Sequence, residues 1–141
     1  GSNVELVLEE TGTYMLQVRD DNYNETGSYR IGLESLKPFS PNTLALAPNV
    51  PVDGQISRAL EKDQYFIQVP AGKRLTVRLV GSAIDAGFAV YANLYAASGA
   101  RVGGMWAGRQ TFTLSAGIYL IQLSDDNLRE RGNYRLQAWL V

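Results

Sequence analysis

The chain contains neither cysteine nor histidine among its 141 residues. The absence of cysteine excludes disulfides, thiolate metal sites and thiol nucleophiles. The absence of histidine excludes Ser-His and Cys-His catalysis, histidine-bound zinc and imidazole-based pH switching within this chain. A cysteine-free sequence fits the cytosol and a Gram-negative envelope equally well, so the composition assigns no compartment.

Charge and long apolar runs are also scarce. Charged residues make up 19% of the chain, and the formal net charge is −1. The 13 lysines and arginines are scattered along the sequence without forming a stripe, which argues against a nucleic-acid-binding protein. No apolar run approaches the roughly 20 residues of a membrane span, and no signal peptide is recognisable. The hydrophobic content of 45% is typical of a globular domain with a core.

A Gly-any-Tyr tripeptide occurs four times, as two pairs with the same internal spacing of fifteen residues. At an offset of 105, residues 12–36 and 117–141 align without a gap and agree at 10 of 25 positions. Each tyrosine starts an apolar alternation, so we predict a buried corner in which glycine supplies a turn and the hydroxyl bonds nearby backbone. The predicted corner residues are Gly12, Tyr14, Gly27, Tyr29, Gly117, Tyr119, Gly132 and Tyr134.

Apolar residues alternate with period two over short runs throughout the chain, as at Tyr65, Ile67 and Val69. The runs are separated by turn signals such as Pro70-Ala71-Gly72, and no window shows a sustained helical stripe. Short strands at intervals of about 8–12 residues without intervening helices are typical of sandwiches. The pattern predicts an all-β antiparallel β-sandwich of jelly-roll or immunoglobulin-like type, with no significant helix.

Proline divides the chain, because four of the five prolines lie in residues 37–52. We interpret this stretch as a linker or an extended segment along a sheet edge. It separates a partial repeat, residues 1–36, from a complete unit, residues 53–141. The opening Gly1-Ser2 looks like a cloning remnant, which suggests an excised piece of a larger protein.

Residues 1–36 pose a packing problem, since two or three strands cannot bury enough surface to be stable alone. They either pack on the complete unit, belong to a preceding repeat, or exchange strands with a second copy to form a homodimer. Monomeric elution from gel filtration at two concentrations would exclude the exchanged dimer.

Several stretches of the complete unit follow a known pattern. The matching stretches are residues 65–72 (YFIQVPAG) with 75–77 (LTV), residues 92–95 (ANLY) leading to Ser98-Gly99, residues 112–119 (FTLSAGIY) and residues 132–136 (GNYRL). They resemble the bacterial pre-peptidase C-terminal (PPC) domain, a β-sandwich module appended to secreted proteases and other envelope proteins. The resemblance covers most of residues 53–141, and residues 5–36 look like the last third of another copy.

The resemblance implies a noncatalytic module for targeting, adhesion or substrate capture in a bacterial protein that is secreted, periplasmic or on the cell surface. Relatives in clostridial collagenases bind collagen and calcium. No motif in this chain matches those binding residues, so the resemblance transfers neither ligand.

Two Asp-Asp-Asn segments crowd carboxylate and amide oxygens into loops between the tyrosines of each pair. The candidate calcium ligands are Asp20, Asp21, Asn22, Asp125, Asp126 and Asn127. Calcium prefers six to eight oxygen ligands, and such loops supply several of them. Asp and Asn also cap turns through their own backbone, which is all that a hairpin loop requires. Both interpretations stay open, and the spacing is not that of an EF-hand.

Four aromatic residues are candidates for a ligand-binding surface: Tyr91, Tyr95, Trp106 and Trp139. Strand parity places Tyr91 and Tyr95 opposite the apolar face of their strand and places Trp139 on an outer face. Such aromatics stack on sugars or anchor a protein partner. Alternatively, they pack beneath residues 1–36.

No residues form a recognisable catalytic set, and the acids sit in turn-like positions rather than facing each other across a cleft. We therefore predict a protein that is not an enzyme, and expect a binding, adhesion or spacer module with a protein or polysaccharide ligand. The alternatives are a carbohydrate-binding module and a calcium-stabilised accessory domain of a protease.

Overall fold

The computed structural model describes residue 4, residues 12–33 and residues 44–141. The chain divides into two compact units, Gly1–Gly32 and Leu33–Val141. The second unit contains the strands β1 (Leu44–Ala45), β2 (Val52–Ile56), β3 (Asp63–Val69), β4 (Leu75–Ala83), β5 (Val90–Ala96), β6 (Arg101–Trp106), β7 (Gly108–Phe112), β8 (Gly117–Asp125) and β9 (Gly132–Leu140). None of the described residues is helical, and none therefore belongs to a helix that could cross a membrane.

The nine strands form two sheets. The first sheet has the order β1-β3-β8-β5-β6, and the second sheet has the order β2-β9-β4-β7. All pairings are antiparallel except that of β1 with β3, which is parallel. The prediction of an all-β antiparallel sandwich without significant helix is confirmed. The strands β8 and β9, which open with the second pair of Gly-any-Tyr motifs, are interior strands of the two different sheets.

The core follows from the alternation in the sequence, because the predicted apolar faces of β3, β4, β8 and β9 point between the sheets. Ile67, Leu79 and Leu136 are each at most 2% exposed and belong to one continuous hydrophobic cluster. Burial of one such side chain stabilises the fold by about 1.5–3 kcal/mol. The alternation therefore determines both the strands and the direction in which each strand faces.

The two corner tyrosines of the second unit use their hydroxyl groups differently. The Tyr119 hydroxyl donates to the Ser115 carbonyl at 2.8 Å, which is the predicted bond to nearby backbone. The Tyr134 hydroxyl instead donates to Asp63 Oδ2 at 2.6 Å and lies 2.6 Å from the Tyr65 hydroxyl. Since Tyr134 is in β9 and Tyr65 is in β3, this second contact joins the two sheets.

Neither corner glycine of the second unit serves the predicted turn, and only Gly132 is required for a close approach. Neither Gly117 nor Gly132 has the positive φ that a turn glycine takes, which differs from the sequence interpretation. A Cβ on Gly132 would overlap the ring of Phe88, whereas a Cβ on Gly117 would meet its nearest atom, on Tyr119, at 3.9 Å. The two glycines are therefore equivalent in sequence and different in packing.

The first unit differs from its predicted strand structure. Residues 12–33 contain no strand, and Tyr14 and Tyr29 are 52% and 72% exposed. The prediction that these two tyrosines are buried is therefore wrong for the structure of this unit. The physical reason is that a strand pair acquires a buried face only from the other strands of a sandwich. Residues 1–3, 5–11 and 34–36 of the predicted partial repeat lie outside the described residues.

Part of the proline-rich stretch belongs to the second unit. Of the predicted linker 37–52, residues 37–43 lie outside the described residues. Leu44–Ala45 form the edge strand β1, and the next residue, Leu46, is 3% exposed within the core cluster. For residues 44–46, the structure fits the edge-segment interpretation and not a separating linker, because a linker leaves its side chains outside the core.

We expect Gly132→Ala to lower the free energy of unfolding by about 1–3 kcal/mol, because the added methyl group must displace the Phe88 ring from a packed core. Gly117→Ala is the matched control, and we expect it to change the stability by less than about 0.5 kcal/mol. Urea denaturation of both variants measures the difference. Equal losses would contradict the packing explanation.

Candidate functional site

The loop of residues 125–130, here the Asp125 loop, is organised by one carboxylate. Asp125 Oδ1 accepts a hydrogen bond from the Ala89 amide at 3.1 Å. Asp125 Oδ2 accepts from the amides of Arg129 at 3.0 Å and Glu130 at 3.1 Å. Leu128 adopts the left-handed backbone conformation with φ 62°. A buried carboxylate thus closes the turn between β8 and β9 by satisfying three backbone amides.

Residues 20–25, here the Asp20 loop, repeat this arrangement. Asp20 Oδ2 accepts from the amides of Asn24 at 3.0 Å and Glu25 at 3.2 Å, and Tyr23 has φ 59°. The acceptor, the two donors and the left-handed residue occupy the positions that an offset of 105 assigns to them. The two loops therefore share their hydrogen-bonding pattern as well as their sequence, although the first unit lacks strands among its described residues.

Of the described residues, one group brings together carboxylates that could hold a metal ion. Oxygens of Asp125, Asp126 and Glu130 all lie within 4.8 Å of one another. The Oε2 oxygen of Glu130 is buried without a hydrogen-bond partner. Asn127 Oδ1 is not a free ligand, because it accepts from the Arg129 amide at 3.2 Å.

The oxygens of Asp125 are largely committed to backbone amides, which leaves a cation little to bind there. A calcium ion at this loop would depend on Asp126 and Glu130, which together fall short of the six to eight oxygens that calcium takes. In the Asp20 loop, Asn22 donates its amide to Asp21 at 3.0 Å. The geometry is accounted for by turn chemistry, and calcium binding stays a prediction for both loops.

The electrostatics of the Asp125 loop follow from these contacts. Burial by itself would raise the pKa of Asp125, but the bonds from the Arg129, Glu130 and Ala89 amides outweigh it and lower that pKa below 3.8. The side-chain hydrogen bond with Asp125 raises the pKa of Glu130 above 4.5. Asp125 is therefore the more acidic group of the pair, and its ionised form is the one that accepts bonds from the backbone amides.

The four candidate aromatics do not form one surface. Tyr91 and Trp106 are cross-strand partners on β5 and β6, with ring centroids 4.9 Å apart and ring planes at 71°. Trp139 lies on β9, in the other sheet, where the guanidinium of Arg109 is 5.2 Å from the centre of its ring. The predicted outward direction of Trp139 agrees with its position opposite the buried face of β9.

Tyr95 is buried, at 1% exposed, so its prediction as a surface aromatic is wrong. It lies opposite Leu120 of the interior strand β8, and Leu120 is 0% exposed although it also faces away from the core between the sheets. Both faces of the first sheet are covered at this position. Strand parity distinguishes the two faces of a strand, but it does not show that one of them contacts solvent.

The Tyr91–Trp106 pair is held in place by Arg101 on the same edge strand as Trp106. Arg101 donates from Nη2 to the Tyr91 hydroxyl at 2.9 Å and from Nε to Asn93 Oδ1 at 2.8 Å. The Tyr91 ring lies over Gly104, where any Cβ would overlap it. Trp106 is 57% exposed. The result is an ordered aromatic pair at a sheet edge with one ring open to solvent.

Comparisons with known proteins identify the fold. No protein family and no curated protein matches the chain. The solved structures that are similar to it include two lysozyme inhibitors and one collagenase domain. PliG of Aeromonas hydrophila, a periplasmic inhibitor of g-type lysozyme, is 20% identical with a TM-score of 0.57, and the match covers 71% of this chain and 96% of PliG. PliG of Salmonella Typhimurium is 14% identical with a TM-score of 0.50, and covers 71% and 99%.

The third structure is the pre-peptidase C-terminal domain of a collagenase from Bacillus anthracis. It is 17% identical with a TM-score of 0.56, and the match covers 68% of this chain and 93% of that domain. The PPC-like β-sandwich fold expected from the sequence is therefore confirmed. At these identities, the similarity concerns the fold alone.

We expect Asp125→Asn to lower the free energy of unfolding by roughly 1–3 kcal/mol, because the amide group cannot accept the three backbone bonds that the carboxylate accepts. The loss should be the same in calcium and in chelator. Since the pKa of Asp125 is lower in the folded state, the wild-type advantage should persist above pH 3.8 and disappear as the pH falls below it.

Asp126→Asn is the control, and thermal melts of both variants provide the measurement. A melting temperature that calcium raises in the wild type but not in Asp126→Asn would contradict the turn-only interpretation and establish a cation site.

Proposed function

We propose that this chain is a noncatalytic binding module of a secreted or envelope protein and that its ligand is a protein. The observation that carries the proposal is the ordered, exposed aromatic pair of Tyr91 and Trp106. Tryptophan and tyrosine are enriched among the residues that dominate binding energy in protein interfaces. Arg101 fixes the pair before any ligand arrives, which reduces the entropy lost on binding.

A noncatalytic role is supported by the chemistry that the chain lacks. Histidine and cysteine are absent from the sequence. The Asp125 carboxylate is engaged with three backbone amides rather than placed across a cleft from a second acid. The fold similarity to periplasmic lysozyme inhibitors and to the PPC domain of a collagenase supports a binding role and a secreted, periplasmic or cell-surface location in bacteria.

A carbohydrate-binding module is the second candidate, favoured by the exposed ring of Trp106. Sugar platforms use aromatic faces that lie flat and open. Tyr91 and Trp106 meet edge to face at 71°, and Trp139 carries Arg109 over its ring. Neither arrangement offers the flat pair of rings that would bind a glycan chain, and we therefore favour a protein ligand.

We also propose that residues 1–36 are the last strands of another copy of the PPC-like unit. The shared geometry of the Asp20 and Asp125 loops supports this proposal, because the loops agree in their acceptor, donors and left-handed residue. A homodimer formed by strand exchange through these residues is a separate prediction, based on the apolar pattern that the segment shares with β8 and β9.

Two structural neighbours inhibit g-type lysozyme, so that enzyme is the protein probe of choice for testing the binding role. We expect it to bind the wild type and to bind Trp106→Ala at least about tenfold more weakly, as is common for a central aromatic anchor. Biolayer interferometry measures the affinities, and Trp139→Ala serves as the matched tryptophan control. A glycan array tests the alternative in parallel.

If the wild type binds a glycan and Trp106→Ala does not, the result would favour the carbohydrate-binding module over the protein-binding module. The absence of both lysozyme and glycan binding would contradict a binding role for the Tyr91–Trp106 pair.

A further inference from the structure

The outer face of the second sheet gathers arginines that are far apart in the sequence. Arg78 of β4 and Arg109 of β7 are direct cross-strand partners. Side chains in this relation have Cβ atoms about 4.5–5.5 Å apart, and like charges placed there destabilise a sheet. The basic residues are thus scattered along the sequence, but the strand order brings Arg78 and Arg109 together in the folded sheet.

The neighbouring arginine on this face is already neutralised. Arg135 donates to Asp53 Oδ1 at 2.7 Å from Nε and to Oδ2 at 2.9 Å from Nη2. Asp53 is the sole carboxylate among the outward positions of β2, β9, β4 and β7, which the structure describes in full. No acid of this face is therefore left to compensate Arg78 and Arg109.

Both arginines are available to a partner. Arg78 and Arg109 are exposed, and within the described part of the chain Arg78 makes no side-chain hydrogen bond or ion pair. The guanidinium of Arg109 lies over the Trp139 ring. Thr76 of β4, the strand between β7 and β9, is 3% exposed. The cation–π contact orders the Arg109 side chain without neutralising its positive charge.

A shallow depression continues from Arg78 along the sheet. Its volume is about 410 Å³, and it is lined by Pro51, Arg78, Val80, Arg135 and Gln137. Val80, which is 44% exposed, is one of the lining residues and supplies an apolar surface beside the Arg78 guanidinium. The face thus combines uncompensated positive charge, an ordered tryptophan and a small apolar hollow.

We propose that this outer face binds an acidic segment of a partner protein, whose carboxylates pair with Arg78 and Arg109. The inference goes beyond the proposed role of the Tyr91–Trp106 pair, because it assigns a second binding surface and the chemical class of its partner. Guanidinium groups bind carboxylates in a bidentate geometry that lysine cannot provide. An acidic segment also removes the like-charge repulsion between the two arginines, so that binding relieves a cost present in the free protein.

Two other polyanions fit the face less well. A uronic-acid polysaccharide would find no open aromatic ring to stack on here, because the Trp139 ring is covered by Arg109. A nucleic acid needs neutralisation of many phosphates, and the chain as a whole carries a formal charge of −1. An acidic protein segment requires only a few paired carboxylates beside an apolar contact, which Val80 and the depression offer.

Binding of a fluorescent polyglutamate peptide to the full chain tests the inference. We expect Arg78→Gln and Arg109→Gln each to weaken binding at least about tenfold and the affinity to fall with added salt. Arg58→Gln is the control for net charge, because its side chain is 76% exposed outside this face. Trp106→Ala should bind the peptide as the wild type does, since Trp106 belongs to the other sheet.

The melting temperature of Arg78→Gln should be unchanged or higher, because the substitution removes a like-charge pair. No peptide binding by the wild type, or equal losses in Arg58→Gln, would overturn the proposal. Preference for polygalacturonate or a single-stranded oligonucleotide of equal charge would also overturn it. None of these results affects the lysozyme measurements on the Tyr91–Trp106 pair, so each of the two proposals can be contradicted without the other.

Discussion

The second unit depends on one buried chain of hydroxyl groups between its sheets. Tyr134 has a single hydroxyl proton, which it donates to Asp63, so Tyr65 must donate its own proton to Tyr134. Burial and the hydrogen bonds with Asp63 and Tyr65 raise the pKa of Tyr134, and burial raises the pKa of Tyr65. Both phenols stay neutral donors, and their rings meet edge to face at 82°. Buried polar groups that are fully paired in this way specify one arrangement of a core.

Other features of the sandwich are arranged around this contact. Gly54 of β2 lacks a side chain where the Tyr134 hydroxyl passes, and any Cβ there would overlap it. Since one continuous hydrophobic cluster lies between the sheets, the candidate surfaces for a ligand are the outer faces, edges and loops. The two proposed surfaces use these in different sheets: the Tyr91–Trp106 pair at the edge of the first sheet, and the arginine face on the second.

Local sequence patterns predicted much of this architecture, but they did not predict contacts between residues that are far apart in the sequence. The alternation through Ile67 and Leu136 identifies strands and their inward faces, because it records a period of two. The same argument gave a wrong prediction for Tyr95, because the outward face of its strand is buried at this position. The strand β6 was missed because Gly103 and Gly104 interrupt any apolar pattern.

The arginine face was missed for a related reason, as the pairing of Arg78 with Arg109 exists only once β4 and β7 are neighbours. The bond between Tyr134 and Asp63 spans 71 residues, and no local spacing encodes it. Repeats and periodicity therefore predicted the fold, whereas strand order determined the candidate binding surfaces. Sequence reasoning predicted the Asp125 turn because the Asp125 carboxylate and two of its three donors, the amides of Arg129 and Glu130, are within five residues of each other.

A double-mutant cycle on Tyr65 and Tyr134 tests the hydroxyl link most directly, because phenylalanine at either position removes one hydroxyl and keeps the ring. The free energies of unfolding of Tyr65→Phe, Tyr134→Phe and the double variant give the coupling between the two groups. We predict a coupling energy of about 1 kcal/mol or more, as for residues in one buried hydrogen-bond network. Additivity within about 0.5 kcal/mol would show that the hydroxyls act independently and would contradict the account.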